Sequence, residues 1–99
     1  MPHPGRCLRE AARTARPLYY CYMLRCRDGT LYTGVTTDVG RRASEHDAGR
    51  GARYTAARRP VRVVWVEEHP DRSSAQRREA EIKRWPRRRK RALAAAWRG

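Results

Sequence analysis

The stretch GTLYTGVTTDVGRRASEHDAG, from Gly29 to Gly49, predicts a strand that leads into a helix. Its first part, LYTGVTT, is rich in β-branched and aromatic residues, which favour a strand. Thr37 or Asp38 can then cap a helix, because each side chain has an oxygen for the free N–H groups of a first turn. Gly49 and Gly51 are typical helix ends. The helix is therefore expected to run to about Ala48.

The segments on either side extend this pattern. Upstream, LYYCYMLRC predicts a first strand at about 18–26, and the turn signal RDG joins it as a hairpin to the second strand at about 30–36. Downstream, RGARYTAARRP is expected to be a basic loop, and VRVVWVEE predicts a third strand at about 61–68.

Two more helices are predicted after the third strand. Asp71 or Ser73 can cap a helix over about 72–84, and Pro86 can be the first residue of a last helix. The element order is β-β-α-β-α-α, which indicates a small α+β fold with helices against a three-stranded sheet. The residues expected in its core are Val61, Val63, Val64, Trp65, Leu24, Leu31 and Val35.

Length and charge narrow the functional classes. A chain of 99 residues allows one domain with one modest core. Its formal net charge is +14, and all but two of its 24 basic residues are arginines. A polyanion best relieves this self-repulsion, and the planar guanidinium suits phosphate. Nucleic acid is therefore the expected partner; codon bias explains much of the arginine-over-lysine ratio but not the charge imbalance.

The termini and cysteines indicate the compartment. Residues 1–16 are expected to form a flexible basic arm and residues 17–99 the folded domain. The start lacks the apolar segment of a secretory signal, and no run is long enough to span a membrane. Three cysteines are too few for a disulfide framework and lack zinc-site spacing. A cytoplasmic protein is expected, with a transit peptide as the alternative for the arm.

The predicted hairpin can bring two tyrosines together. Strand residues alternate between faces, so Tyr22 lies on one face of the first strand, and Tyr32 and Gly34 share a face of the second. If the register aligns these faces, the tyrosines stand beside a patch cleared by the glycine, as at a ligand site. The alternative is that the paired tyrosines only stabilise the hairpin.

Two predicted helices carry polar residues on apolar faces. Arg42 and His46 are four residues apart and share a face with Val39, so Arg42 either meets an anion or extends its charged end into water. Glu79 shares a stripe with apolar neighbours, three residues before Ile82. A carboxylate placed there needs a partner, which is either Mg²⁺ or an arginine in a salt bridge.

Together these features resemble the GIY-YIG nucleases. YCY, Tyr20 to Tyr22, stands at the GIY position, and YTG, Tyr32 to Gly34, stands at the YIG position. Tyrosine and cysteine replace Gly-Ile in the first motif, and the chain lacks the late asparagine of many members. The resemblance covers about residues 18–90 and is strongest to the small single-domain bacterial branch, whose cellular role is largely unassigned. That fold is a three-stranded antiparallel sheet flanked by helices.

The resemblance implies a metal-dependent endonuclease that hydrolyses phosphodiester bonds in DNA, with RNA left open, in DNA repair or processing. It implies that two tyrosines flank the reactive phosphate and activate or orient water, that an arginine and a histidine act in catalysis, and that a glutamate holds Mg²⁺ or Mn²⁺. The residues at these positions are Tyr22, Tyr32, Arg42, His46 and Glu79, with Gly34 as the motif glycine. The proton acceptor is either tyrosine or His46.

The segment GRGARYTAARRP is expected to follow a nucleic-acid backbone. Arginines there can meet phosphates, and a tyrosine can stack on an unpaired base. The residues in question are Arg50, Arg53, Tyr54, Arg58 and Arg59. Two alternatives remain open: a binding module with the nuclease fold and little or no cleavage, and a basic structural protein in which the tyrosines, arginine and glutamate do not converge.

Overall fold

The computed structural model describes residues 18–98, and the expected arm at residues 1–16 lies outside this range. The α+β class and the order of the predicted elements are confirmed. One element was missed, since a one-turn helix lies inside the expected basic loop. The elements are β1 (Tyr19–Cys26), β2 (Leu31–Thr36), α1 (Val39–Asp47), α2 (Arg53–Ala56), β3 (Val61–His69), α3 (Arg72–Lys83) and α4 (Arg87–Ala96).

The three strands form one antiparallel sheet in the order β2-β1-β3. In the β1–β2 hairpin, Tyr22 lies opposite Gly34 and Leu24 lies opposite Tyr32. The predicted alignment of the two tyrosine faces is therefore confirmed. β1 is the central strand, and Cys21 to Leu24, which alternate between its two faces, are all buried.

The helices form a layer on each face of the sheet. α1 packs on the face that carries Tyr22, whereas α3 and α4 pack on the face that carries Cys21 and Met23. On this second face, Cys21, Met23, Trp65 and Ile82 make the buried core cluster. This layering places the core mainly between the sheet and α3.

The expected core was only partly correct. Leu24 and Trp65 are buried, but the valines of β3 that were expected in the core, and also Leu31 and Val35, are only partly buried. β2 and β3 are edge strands, so their side chains are covered less completely than those of β1. The missed core residues are Cys21, Met23 and Ile82.

Local hydrogen bonds define the helix ends. The Asp38 carboxylate accepts the Arg41 backbone N–H at 3.0 Å, and the Asp71 carboxylate accepts the Ser74 N–H at 2.8 Å. Gly49 follows α1 with φ of +85°, a conformation that favours glycine at a helix end. Pro86 precedes the first helical residue of α4 instead of being that residue. Within residues 18–98, no helix has the length and apolar character needed to cross a membrane.

Candidate active site

A pocket of about 470 Å³ gathers most of the residues that the sequence singled out, namely Tyr22, Tyr32, Gly34, Arg42 and Glu79. Residues from both faces of β2 contribute to it, so the pocket opens along this edge strand. Its lining consists of Tyr19, Tyr22, Tyr32, Gly34, Val35, Thr36, Thr37, Arg42, Arg72, Gln76 and Glu79. The convergence expected of a nuclease is therefore present, whereas the structural-protein alternative required these groups to be apart.

Gly34 gives the Tyr22 side chain its place in the pocket. A Cβ atom at Gly34 would lie 2.5 Å from the Tyr22 hydroxyl oxygen and 2.7 Å from its Cζ. Real Cβ atoms do not approach other atoms this closely, so any larger residue at this position must displace the ring. The motif glycine thus admits the tyrosine ring of the facing strand.

Tyr22 belongs to a chain of buried hydrogen bonds. Its hydroxyl lies 2.9 Å from His46 Nε2, and His46 Nδ1 lies 2.7 Å from the Thr55 hydroxyl. The Thr55 hydroxyl donates to the Ala52 carbonyl at 3.0 Å, so its oxygen accepts from Nδ1–H. This tautomer leaves Nε2 to accept from Tyr22. The Ala52 N–H lies 3.4 Å from Nδ1 but does not donate to it, because Nδ1 already carries a proton. His46 therefore reaches the pocket only through Tyr22.

The surroundings of the Tyr22–His46 pair determine its protonation state. Burial raises the pKa of Tyr22 to about 12, against the hydrogen bond from Arg42. Burial, followed by the charge of Arg42, lowers the pKa of His46. At neutral pH, Tyr22 is thus a neutral phenol and His46 a neutral imidazole. A neutral imidazole can accept a proton from the phenol, whereas a phenolate is too rare to act as a free base.

Arg42 brings a positive charge from α1 to the pocket. The Arg42 side chain is about one-third exposed, and its guanidinium bonds the Glu45 carboxylate at 2.8 Å, one helical turn away. Glu45 does not line the pocket. The pair holds the long side chain in one orientation while the remaining donors of the guanidinium stay available to a ligand.

Glu79 reaches the pocket from α3. Its neighbours on the helix face, Ala75 and Ile82, are fully buried, while a quarter of the Glu79 side chain is exposed. The carboxylate pairs with Lys83 at 3.1 Å. The expected salt bridge thus forms with a lysine instead of an arginine, and the carboxylate still faces the pocket.

The pocket fits a hard divalent cation held by one protein carboxylate. Glu79 supplies an oxygen ligand of the kind that Mg²⁺ prefers, and Lys83 shows that the position attracts a cation. Between residues 18 and 98, no group of three His, Cys, Asp or Glu side chains could hold a metal ion. The other ligands would come from water and from phosphate, as is common for Mg²⁺.

The residues expected to follow a nucleic-acid backbone lie outside the pocket. The ring of Tyr54 is exposed and lies 6.1 Å from the ring of Tyr32, centre to centre. Arg58 stacks on Tyr54 at 4.0 Å and pairs with Asp28 at 3.2 Å. Arg59 bonds the Ala56 carbonyl, and the two other predicted arginines, Arg50 and Arg53, are exposed. Tyr54 and its stacked arginine therefore continue the aromatic surface beyond the pocket.

Sequence reasoning missed several residues of this site, among them Arg72, Gln76 and Thr55. Arg72 and Gln76 line the pocket together with Glu79, and all three occupy one face of α3 at helical spacing. That spacing could have revealed them once Glu79 was placed. Thr55 had no such signal, because it lies in a helix of only four residues.

The comparison with protein families agrees with the fold and the pocket. The family model of the GIY-YIG catalytic domain matches residues 18–92. This chain therefore belongs to the GIY-YIG family.

Its relatives define a narrower group. The chain is 50% identical over 88 residues to the UPF0213 protein DP2720 of Desulfotalea psychrophila, covering 88% of this chain and 80% of that protein. It is 52% identical over 77 residues to the UPF0213 protein NP_0776A of Natronomonas pharaonis, covering 78% and 91%. The solution NMR structure of the UPF0213 protein BH0048 of Bacillus halodurans is similar, with a TM-score of 0.52, 45% identity, and coverage of 79% and 83%. The BH0048 structure shares the small α+β fold described above.

Proposed function

We propose that this protein is a metal-dependent endonuclease that hydrolyses phosphodiester bonds in DNA, with RNA as a further substrate, in DNA repair or processing. The observation that supports this best is the single pocket that contains Tyr22, Tyr32, Arg42 and Glu79 in a member of the GIY-YIG family. The four groups come from four different elements of the fold: β1, β2, α1 and α3. Their convergence is what a phosphate-cleaving site requires.

Two arginines give the pocket its affinity for phosphate. Arg42 and Arg72 enter from α1 and α3, and each can donate to the oxygens of a bound phosphodiester. Attack by water increases the charge on these oxygens. Donors fixed in advance stabilise that charge more in the transition state than in the bound substrate, which accelerates the reaction.

The buried hydrogen-bond chain provides a path for the proton. As water attacks phosphorus, Tyr22 takes a proton from the water and passes its own hydroxyl proton to His46 Nε2. Thr55 accepts from Nδ1–H and keeps the imidazole in the required tautomer. His46 is therefore the final proton acceptor, Tyr22 is the group that contacts water, and Tyr32 orients the phosphate from the neighbouring strand.

Glu79 would hold the divalent ion, Mg²⁺ or Mn²⁺. When bound, such an ion supplies Lewis-acid stabilisation of the leaving oxygen. In its absence, Lys83 keeps the carboxylate oriented beside Tyr32, since its ammonium lies 3.1 Å from the Glu79 oxygen and 6.0 Å from the centre of the Tyr32 ring. We expect this chemistry in the cytoplasm, where buried free thiols such as Cys21 and Cys26 stay reduced.

A cleavage assay tests the proposal. Purified protein is incubated with labelled single- and double-stranded DNA and RNA, with Mg²⁺, with Mn²⁺ and with a chelator. Cleavage is expected only with metal. Glu79→Gln and Arg42→Ala should each reduce the rate by at least about 100-fold, as is typical when one transition-state contact is removed.

Matched variants control for folding and for contaminants. Glu81→Gln changes the same residue type on the same helix, and Arg41→Ala changes the exposed neighbour of Arg42; neither residue lines the pocket. Both controls should cut like the unmodified protein. Cleavage that persists in Glu79→Gln and Arg42→Ala would belong to a contaminating nuclease, and the proposal would be wrong.

The ion pair of Glu79 with Lys83 favours a second candidate, a nucleic-acid-binding module that cuts weakly or not at all. The lysine supplies a positive charge where the ion would otherwise bind. This candidate predicts salt-sensitive binding of DNA with no product at any metal concentration. Binding by fluorescence anisotropy, measured beside the cleavage assay, separates the two functions.

A further inference from the structure

A second pocket contains three arginines and lies away from the candidate active site. It has a volume of about 550 Å³. Arg25 of β1, Arg62 of β3 and Arg91 of α4 line it, and Leu31, Val64 and Ala94 contribute an apolar floor. We call it the arginine pocket.

The arginine pocket opens on the other face of the sheet. Arg25 is three residues from Tyr22 on β1, and Leu31 precedes Tyr32 on β2, so strand alternation turns them away from the tyrosines. α4 covers this face and presents Arg91 and Ala94 on one side, three residues apart. None of the described residues, 18–98, lines both pockets. A ligand of the arginine pocket is therefore separate from the scissile phosphate.

Within residues 18–98, the three charges have no carboxylate counter-ion. Among the carboxylates of residues 18–98, none lies within ion-pair distance of Arg25, Arg62 or Arg91, although other basic residues do form such pairs. Arg25 and Arg62 are also direct cross-strand partners, an arrangement that repulsion disfavours. Charge on β3 could protect an open sheet edge, but Arg25 lies on the central strand, where no edge needs protection.

We propose that the arginine pocket binds the phosphates of a nucleic-acid backbone, as a second contact remote from the site of cleavage. Guanidinium groups suit phosphate oxygens, and the apolar floor can take the sugar or base between them. The chain's own first 17 residues are a poor occupant, because they contain four arginines and one glutamate. The proposal requires that the protein binds nucleic acid, not that it cuts it.

The salt dependence of binding tests this contact. A labelled DNA duplex is titrated by fluorescence anisotropy at several salt concentrations. The test variant combines Arg25→Gln, Arg62→Gln and Arg91→Gln. Its control removes the same charge through Arg84→Gln, Arg87→Gln and Arg88→Gln, exposed residues of the α3–α4 junction that line neither pocket.

Loss of three phosphate contacts should reduce the slope of log K against log[salt] by about 2.7, at about 0.9 per contact. The control substitutions should change this slope by less than about 1. Equal changes in the two proteins, or no change in the test variant, would overturn the proposal. Circular dichroism and thermal unfolding confirm that both variants are folded.

A second measurement locates the contact directly. In Glu79→Gln protein, so that DNA is not consumed, the side-chain Nε–Hε NMR signals of the three arginines should shift when duplex is added. Shifts with polyglutamate but not with DNA would mean that the pocket takes acidic protein, and would overturn the proposal. If only the nuclease proposal fails, the results are distinguishable. The unmodified protein would then cut no substrate, but the test variant would still show the smaller slope of log K against log[salt].

Discussion

Replacement of Gly34 by alanine tests the central contact of the site. The added Cβ would lie 2.5 Å from the Tyr22 hydroxyl oxygen and 3.0 Å from Cε1. Tyr22 is only 1% exposed and its hydroxyl is bonded to His46, so the ring cannot move without breaking packed contacts. The substitution should therefore reduce stability and activity together.

The cost of this clash can be approximated from its parts. Overpacking a dense site costs about 1–3 kcal/mol, and loss of the buried Tyr22–His46 hydrogen bond costs about 1–3 kcal/mol more. Alanine recovers about 0.5–1 kcal/mol, because it is less flexible than glycine in the unfolded chain. Gly34→Ala should thus lower the free energy of unfolding by about 1–5.5 kcal/mol, with a midpoint of about 3 kcal/mol, which is a large part of the stability of a small domain.

Urea unfolding, followed by circular dichroism, measures this change, and cleavage is assayed on the same preparation. Gly40→Ala is the matched control. Its Cβ would have only the Asp38 carboxylate nearby, at 3.8 Å, and a glycine-to-alanine change in a helix gains up to about 1 kcal/mol. The two variants should shift the midpoint in opposite directions. If Gly34→Ala is as stable and active as the unmodified protein, the contact between Gly34 and Tyr22 does not organise the pocket.

Three further predictions concern single groups. The pKa of His46 in the folded protein lies below its ordinary 6.5, so the unfolded chain takes up a proton first as the pH falls. Urea titrations should therefore show the free energy of unfolding decreasing below pH 6.5 and levelling off below the folded pKa. His46→Gln should lack this pH dependence. Lys83→Met frees the Glu79 carboxylate from an exposed pair worth about 0.5 kcal/mol, so the Mg²⁺ concentration for half-maximal binding, measured by calorimetry, should fall about twofold. Tyr54→Ala should weaken binding of single-stranded DNA about tenfold through loss of one stacked base and leave duplex binding nearly unchanged in anisotropy titrations; equal losses for both would contradict a stacking role.

Features governed by local sequence could be predicted. The hairpin follows from two β-prone segments around an Asp-Gly turn, and Asp38 and Asp71 cap the helices because their carboxylates suit free N–H groups. Helical spacing placed Glu79 beside Ala75 and Ile82. Since one face of α3 packs on the sheet, a polar residue on that stripe had to lie at the border of the core.

Features governed by tertiary structure could not be predicted. The sequence does not show that β1 is the central strand. The prediction of the core therefore missed Cys21 and Met23 of β1 and instead included the valines of β3, which is an edge strand. The helix α2 is too short to show a period and has no side-chain cap. For this reason the sequence did not indicate Thr55, whose hydroxyl lies 2.7 Å from His46 Nδ1 and fixes the tautomer of the imidazole.

The two tyrosines of the motif differ because of where their strands lie. Tyr22 is on the central strand, where burial keeps it a neutral phenol bonded to His46. Gly34 makes room for the Tyr22 ring, and Gly51 makes room for the imidazole of His46, which a Cβ at that position would meet. Tyr32 is on the edge strand, partly exposed, with its ring 5.0 Å from that of His46, centre to centre. A central phenol can pass a proton inward, whereas an edge phenol can meet substrate and solvent. In the proposed mechanism, the strand order thus assigns proton transfer to Tyr22 and orientation of the phosphate to Tyr32.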